Sequence, residues 1–381
     1  MKKMLMLASV ASMIDQFNMS NIELLQKMGY EVHVACNFAK GSTCTVEKIQ
    51  ELKKNLEEKK VEYFQIDFER NVMKIHKDVK AYKQVLQLCR KNRYDFIHCH
   101  SPIGGVIGRL VAHKTNTKVI YTAHGFHFYK GAPIQNWLIY YPIEKFLSRF
   151  TDVLITINQE DYSRAKKKFY AKRVEYIPGI GIDVKKFQNL EVNKNEKRKK
   201  LGIGEEKIVL LSIGELSKRK NHEIVIKALA KLNSTKVVYL ICGKGDLKKD
   251  LEKLSIELEI EKQIKFLGFR TDIAEICKCA DIFVFPSLQE GLPVALMESM
   301  ASGLPVACSK IRGNTDLINE EEVVFNPKSV EDIKEVIGKM IDLSKNSLER
   351  MGERNQRISK KFDKSIVEKM IGNIYRRIEQ L

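Results

Sequence analysis

Short runs of apolar, largely β-branched residues recur along the chain, and each is followed by a longer stretch whose apolar positions fall three and four apart. The first series is Lys3 to Ala8, Val32 to Ala35, Phe96 to Cys99, Lys118 to Ala123 and Val153 to Ile157. Continuous apolar runs of strand length alternating with helical spacing predict βαβ units and parallel sheet. A second series starts after Lys200, with Ile208 to Ile213, Val237 to Cys242, Ile264 to Leu267, Ile282 to Phe285 and Val306 to Cys308, separated by helical stretches such as Asn221 to Lys231. Two α/β domains follow, each a doubly wound parallel sheet. Between the series lie Pro178-Gly179-Ile180-Gly181 and the charged stretch Glu191 to Lys200. That change of composition puts the boundary within 178–205. The expected division is 1–185, 186–360, and a C-terminal helix over 361–381 that can pack back on the N-terminal domain. From Ser329 onward the chain is lysine-rich and helical in spacing, with no strand expected beyond about Phe325.

The length of 381 residues suits two to three ordinary domains at about 150 residues each. With 44% hydrophobic and 30% charged residues and only 8 prolines, disordered and fibrous classes are excluded. The net charge of +18 calls for an anionic partner: nucleic acid, an anionic membrane surface or a phosphorylated small molecule. The basic residues are spread along the chain without a reader motif, so no nucleic-acid partner is expected. Eight cysteines without a CxxC pair imply a reducing, cytoplasmic setting. His98-Cys99-His100 would alternate faces along a strand, and no metal site is expected there. Met1 to Val10 reads as a first buried strand rather than a leader. No apolar stretch reaches the roughly 18 to 20 residues of a membrane span, so any membrane contact is expected to be peripheral.

Two doubly wound domains facing a central cleft would present strand carboxyl ends and helix N-termini to a phosphate. The densest candidate chemistry is Phe285 to Val306: a strand, a loop, a helix entered at Pro293, a stop at Gly303 and another strand. Glu290 falls in the loop and Glu298 inside the helix. They flank a helix N-terminus instead of opposing one another as an acid and base pair. A diphosphate there would take the N–H groups after Glu290, with Glu290 accepting from sugar hydroxyls and Glu298 holding a ribose diol. The plainer reading makes Glu290 a partner of the helix dipole and Glu298 a solvated helix charge. The neighbours Ala295, Leu296, Met297 and Met300 argue against full solvation of Glu298.

Glu290-x7-Glu298 followed by Ala301-Ser302-Gly303-Leu304-Pro305-Val306 resembles the retaining glycosyltransferases of family 4, whose GT-B architecture is two Rossmann-like domains. The resemblance covers nearly the whole chain. Ile213-Gly214-Glu215-Leu216 running into Lys220-Asn221-His222 resembles the first strand and phosphate loop of the family's C-terminal domain. Gly243-Lys244-Gly245 and Phe266-Leu267-Gly268 end the next two strands. Tyr121-Thr122-Ala123-His124-Gly125 resembles the family's strand-end histidine. His124-Gly-Phe-His-Phe-Tyr-Lys-Gly131 with Tyr140-Tyr-Pro-Ile-Glu144 is similar to the bacterial subgroup that builds capsule and exopolysaccharide units on a polyprenyl diphosphate.

The resemblance implies an acceptor-binding N-terminal domain and a donor-binding C-terminal domain. It implies His124 and Glu290 as catalytic residues, and Lys220 as the cation on the donor diphosphate, which gains charge as it leaves. Arg219, Arg270, Gly291, Leu292, Pro293 and Glu298 complete the donor-binding set; Arg270 lies beside the nucleobase or is a surface loop arginine. The implied substrates are a nucleoside-diphosphate sugar, UDP-linked and of N-acetylhexosamine type, and a polyprenyl-diphosphate-linked saccharide. No cofactor is implied, and the absence of an Asp-x-Asp motif fits metal independence. Front-face transfer with retention is favoured, with a two-step covalent route open. The other reading kept is a nucleotide-sugar epimerase or another GT-B enzyme without a lipid acceptor.

Two departures stand out. Glu215 occupies a position where many family members carry arginine, so Lys218 or Arg219 would have to supply that charge. The first loop, Ser9 to Asp15, lacks the family's glycines and is expected to serve the acceptor. The segment Phe126 to Phe150 holds Trp137 and seven other aromatic residues together with Lys130 and Lys145. It suits either a membrane interface on the inner face of the cell membrane or an ordinary core helix.

Overall fold

The computed structural model describes residues 2–40, 44–69 and 78–380. The chain divides into two compact units, 1–180 with 367–381, and 181–366. In the first, strands β1 (Lys2–Val10), β2 (Tyr30–Asn37), β3 (Glu62–Gln65), β4 (Phe96–His100), β5 (Lys118–Ala123), β6 (Val153–Thr156) and β7 (Arg173–Tyr176) form one sheet in the order β3-β2-β1-β4-β5-β6-β7. Every pairing is parallel. Because successive strand side chains point to opposite faces, β1 feeds two cores at once. Met4, Met6 and Ala8 enter a layer shared with Ile22, Leu25 and Tyr375, while Leu5 and Leu7 enter one shared with Val85, Ile107 and Phe128. The last helix, Lys364–Ile378, places Val367, Ile371, Ile374 and Tyr375 in the first of these layers.

The second unit holds β8 (Ile208–Ile213), β9 (Val237–Cys242), β10 (Ile264–Gly268), β11 (Ile282–Phe285), β12 (Val306–Ser309) and β13 (Val324–Phe325). Their order is β10-β9-β8-β11-β12-β13, again all parallel. In both sheets the strand order reverses beside the first strand, between β1 and β4 and between β8 and β11. Loops leaving the carboxyl ends there diverge and open a crevice.

Three strands lie outside the sequence expectation: β3, β7 and β13. Each is a sheet edge, two to four residues long. An edge strand buries less of itself, so it lacks the apolar run that betrays a central strand. The segment Ser9 to Asp15 also differs from expectation. It is the end of β1 running straight into helix Ala11–Phe17, with no open loop between. The glycines that allow close packing sit instead in helix Pro102–Thr115. A Cβ at Gly105 would lie 2.4 Å from the Tyr121 ring, and one at Gly108 would lie 2.8 Å from Cys99 Cβ. All eight cysteines are free thiols, seven of them buried.

Candidate active site

At the reversal point of the second sheet, the segment after β8 meets the segment after β11. Asn221 is the hinge. It adopts a left-handed backbone (φ 58°), and its side-chain amide donates to the Pro286 carbonyl (3.1 Å) and the Pro327 carbonyl (2.8 Å). Asparagine tolerates this conformation because its short polar side chain bonds locally. The Leu288 N–H donates to the Arg219 carbonyl at 2.8 Å, which ties the two segments a second time.

This framework brings Lys220, Arg219 and Glu290 together. Glu290, 9% exposed, accepts on Oε1 from Lys220 Nζ (2.7 Å) and from Arg219 Nη1 (2.9 Å). The Lys220 ammonium also lies 4.7 Å from the centroid of the Phe285 ring. Burial pulls the Lys220 pKa below the usual lysine range, and the Glu290 charge opposes that shift. Beside Lys220, burial drives His222 down to about 4, reinforced by the lysine charge, so this imidazole is neutral at pH 7. Glu215 is exposed, and Arg219 turns its guanidinium to Glu290 and to the Gln289 carbonyl (3.1 Å).

Glu290 opens the segment Gly291-Leu292-Pro293, which ends as the N-cap of helix Val294–Ala301. Leu292 is buried. Two residues the sequence reading missed hold this turn. Arg312 Nε donates to the Glu290 carbonyl at 3.2 Å. Gly313 (φ 78°) packs so tightly that a Cβ there would lie 2.3 Å from the Gly291 carbonyl oxygen. Only the Gly313-Asn314 turn signal hinted at the second, and nothing local marks Arg312 as a partner of residue 290.

Glu298, one turn into the helix, is half-buried, and among the described residues its carboxylate accepts no hydrogen bond. Desolvation raises its pKa to about 7, partly offset by the Lys186 charge. A partly desolvated carboxylate that lacks donors can accept hydroxyls from a ligand. Arg270 stands apart from this group. It forms a bidentate pair with Asp272 (Nε–Oδ1 2.8 Å, Nη2–Oδ2 2.6 Å), and Lys197 joins the same carboxylate at 2.6 Å. The pairing holds Asp272 well below the usual carboxylate range.

In the first unit, His124 follows β5 and its Nε2 lies 3.1 Å from His100 Nδ1 at the end of β4. Phe17 meets the His124 ring edge-on at 5.4 Å. Behind this pair, His98 bonds Tyr375 (2.9 Å) and Thr122 (2.8 Å). Burial lowers His124 to about 4 and His98 to about 3, and it lowers His100 well below the ordinary value, so all three are neutral at pH 7. A neutral pair of imidazoles must share one proton between the facing nitrogens, so the tautomer of His124 is coupled to that of His100. The sequence flagged His124; the role of His100 needed the strand pairing. Among the described residues no cluster of His, Cys, Asp and Glu has the form of a metal site.

The aromatic segment divides. Phe126 and Phe128 are buried, and Trp137, Tyr140 and Tyr141 pack against the core, so most of the rings are structural. The same helix, Ile134–Leu147, exposes Ile134 (70%), Leu138 (70%) and Phe146 (51%).

Residues 3–158 match the family described as "Glycosyl transferase 4-like", and residues 193–358 match "Glycosyl transferases group 1". The chain is 35% identical over 333 residues to the putative glycosyltransferase EpsD of Bacillus subtilis, covering 85% of this chain and 83% of that one. It is 33% identical over 261 residues to the UDP-Gal:alpha-D-GlcNAc-diphosphoundecaprenol alpha-1,3-galactosyltransferase of Escherichia coli, covering 66% and 67% of the two chains. Among solved structures, Anabaena HepE in complex with UDP superposes with a TM-score of 0.78 at 19% identity, over 99% of this chain and 100% of that one. Sucrose-phosphate synthase from Thermosynechococcus elongatus does so with a TM-score of 0.78 at 17% identity, over 99% of each. The paired parallel sheets, the motifs along both halves and these relatives together make the chain a family 4 glycosyltransferase of GT-B architecture.

Proposed function

We propose that this glycosyltransferase transfers a sugar from a UDP-sugar to a polyprenyl-diphosphate-linked saccharide, with retention at the anomeric carbon and without a metal ion, in assembly of an exopolysaccharide or capsule repeat unit. The observation that carries this reading is the Lys220–Glu290–Arg219 cluster at the sheet reversal, followed in the next helix by Glu298, whose carboxylate accepts no hydrogen bond among the described residues. In the free chain Glu290 neutralises two cations. An incoming diphosphate competes for them and takes the N–H groups that follow Glu290, while Glu298 receives the ribose hydroxyls. Charge builds on the diphosphate as the glycosidic bond breaks, and Lys220 with Arg219 stabilises it in place. The departing phosphate oxygen accepts the proton of the attacking hydroxyl on the same face, which retains configuration. His124, neutral and coupled to His100, is a hydrogen-bonding group that the first unit can offer to a substrate.

The lipid-linked acceptor is supported by the Escherichia coli relative, whose name specifies a diphosphoundecaprenol substrate. Attachment at the cytoplasmic face of the membrane is supported by the exposed apolar residues of helix Ile134–Leu147, with Lys145 and Arg149 beside them. No helix among the described residues is long and apolar enough to cross a membrane.

The test is a nucleotide-sugar panel, each donor offered with a polyprenyl diphosphate monosaccharide, read by nucleoside diphosphate release with and without EDTA. A UDP-sugar should turn over only with the lipid acceptor, equally in EDTA, and give a product of unchanged anomeric configuration by NMR. Turnover of a UDP-sugar alone, without transfer, would replace this reading with an epimerase.

A further inference from the structure

Helices Asp78–Asn92, Pro102–Thr115 and Ile134–Leu147 lie over one face of the first sheet and leave a trough of about 240 Å³ between them. Its walls are hydrocarbon: Tyr82, Ile103, Val106, Leu110 and Ile143, with Val79 at the mouth, 51% exposed. The two carboxylates that border it are committed elsewhere. Asp78 accepts the Glu69 N–H at 3.1 Å, and Glu144 is paired with the fully buried Arg109 at 2.8 Å and accepts from the Tyr121 hydroxyl at 3.3 Å. Water in such a trough finds few partners, so an apolar occupant is favoured.

Two further observations say what kind. The trough shares Pro102, Tyr140 and Glu144 with a second cavity of about 90 Å³, which is bordered by Tyr121 and His124. A hydrocarbon chain in the trough therefore leads towards the candidate active-site histidine. Helix Ile134–Leu147 forms one wall with Ile143 and presents Leu138 and Ile139 on its exposed side, so the trough wall and an exposed apolar face belong to one helix. An apolar trough beside an exposed apolar helix face suits the hydrocarbon tail of a membrane lipid.

We propose that this trough binds the proximal isoprene units of the lipid-linked acceptor. The inference rests on the lipid-acceptor reading above and makes it more specific. An exposed apolar face would serve membrane attachment alone. A trough that shares Pro102, Tyr140 and Glu144 with the His124 cavity gives the enzyme direct recognition of the isoprenoid.

The test uses the full chain and a sugar-free farnesyl diphosphate carrying a benzophenone, so that it reads binding whether or not sugar transfer occurs. Photolysis should place adducts on peptides containing Val106, Leu110 or Ile143. Val106→Trp, which fills the trough, should reduce cross-linking at least tenfold. Val79→Trp, at the exposed mouth and safer for folding, should reduce it severalfold with an unchanged Tm. Excess unlabelled farnesyl diphosphate should compete, while vesicles of phosphatidylglycerol without isoprenoid should not. Adducts confined to other surfaces, cross-linking indifferent to both substitutions, or equal competition by the phospholipid would overturn the proposal. If transfer to a lipid acceptor fails while these adducts form, the function reading falls and the site stands.

Discussion

Lys220 Nζ lies 2.7 Å from Glu290 Oε1, although 70 positions separate the two residues in the chain. The pair is the electrostatic centre of the second unit's loops, and each member keeps the other tolerable in a largely buried place. Removing the carboxylate should separate binding from chemistry, and removing the lysine should weaken both. Glu290→Gln keeps the shape and removes the charge, so UDP affinity should hold or tighten while turnover falls about 100-fold, the scale of losing one electrostatic contact in a transition state. Lys220→Ala should weaken UDP binding at least tenfold by calorimetry and also lower kcat. Full activity in Glu290→Gln would exclude a role at the sugar.

On the proposed reading, Glu298 should link nucleotide binding to pH. Its folded-state pKa is raised to about 7 by desolvation, above the ordinary value of 4.5. Between these values the folded chain holds a proton that the unfolded chain has released. Its contribution to stability is therefore largest below pH 4.5 and is lost as pH rises to 7, by on the order of 3 kcal/mol. Hydroxyl donors from a ribose favour the charged form, so UDP should bind more tightly as pH rises from 5.5 to 7.5, with proton release in that window. Glu298→Gln should be more stable than the natural chain at pH 8 by thermal unfolding and should show a smaller proton release by calorimetry in buffers of different ionisation enthalpy.

Gly313 tests whether the Glu290 turn needs its exact backbone. A methyl group there meets the Gly291 carbonyl oxygen at 2.3 Å on a backbone with φ 78°. Gly131 supplies the control, since its φ is 90° and a Cβ there meets nothing within 4 Å. Gly131→Ala should cost about 1 kcal/mol from backbone strain alone. Gly313→Ala should cost more and also weaken UDP binding, because relief of the clash moves the segment that follows Glu290.

The buried histidines should govern acid stability of the first unit. With His98 lowered to about 3 and His124 to about 4, the folded state binds fewer protons than the unfolded state at pH values below the ordinary 6.5. The stability these neutral rings contribute is present above pH 6.5 and is lost as pH falls through 4 to 3. His98→Phe should lower Tm at pH 7.5, because the bonds to Tyr375 and Thr122 disappear, yet flatten the fall of Tm between pH 6.5 and 4. The pH–rate profile should show no inflection near 6.5 from His124.

Arg109 and Glu144 offer a stability test away from the donor loops. Arg109 has no solvent exposure, stacks 4.1 Å from the Tyr121 ring centroid and donates from Nε to the Gly105 carbonyl at 2.8 Å. Arg109→Met alone strands a buried carboxylate and should cost about 3–5 kcal/mol in urea unfolding, whereas pairing it with Glu144→Leu should recover most of the loss.

The sequence by itself determined the interior of each sheet, since a strand buried on both faces must be apolar throughout and its helix must repeat near 3.6 residues. It also determined the residue types of the candidate site: a lysine and an arginine after β8, a glutamate after β11, and a second glutamate inside the next helix. Both signals are local: periodicity carries the first, and short motifs with the family resemblance they bear carry the second. Tertiary structure alone decided the rest. It decided that β3, β7 and β13 close the sheet edges, where partial burial leaves no continuous apolar run. It decided that Lys220 and Arg219 converge on one oxygen of Glu290 and that Arg312 holds the carbonyl of the same residue. It paired Arg270 with Asp272, coupled His124 to His100, and opened a trough among three helices. Each of these depends on a distance between residues far apart in the chain, which sheet order and helix packing set and no window of neighbouring residues contains.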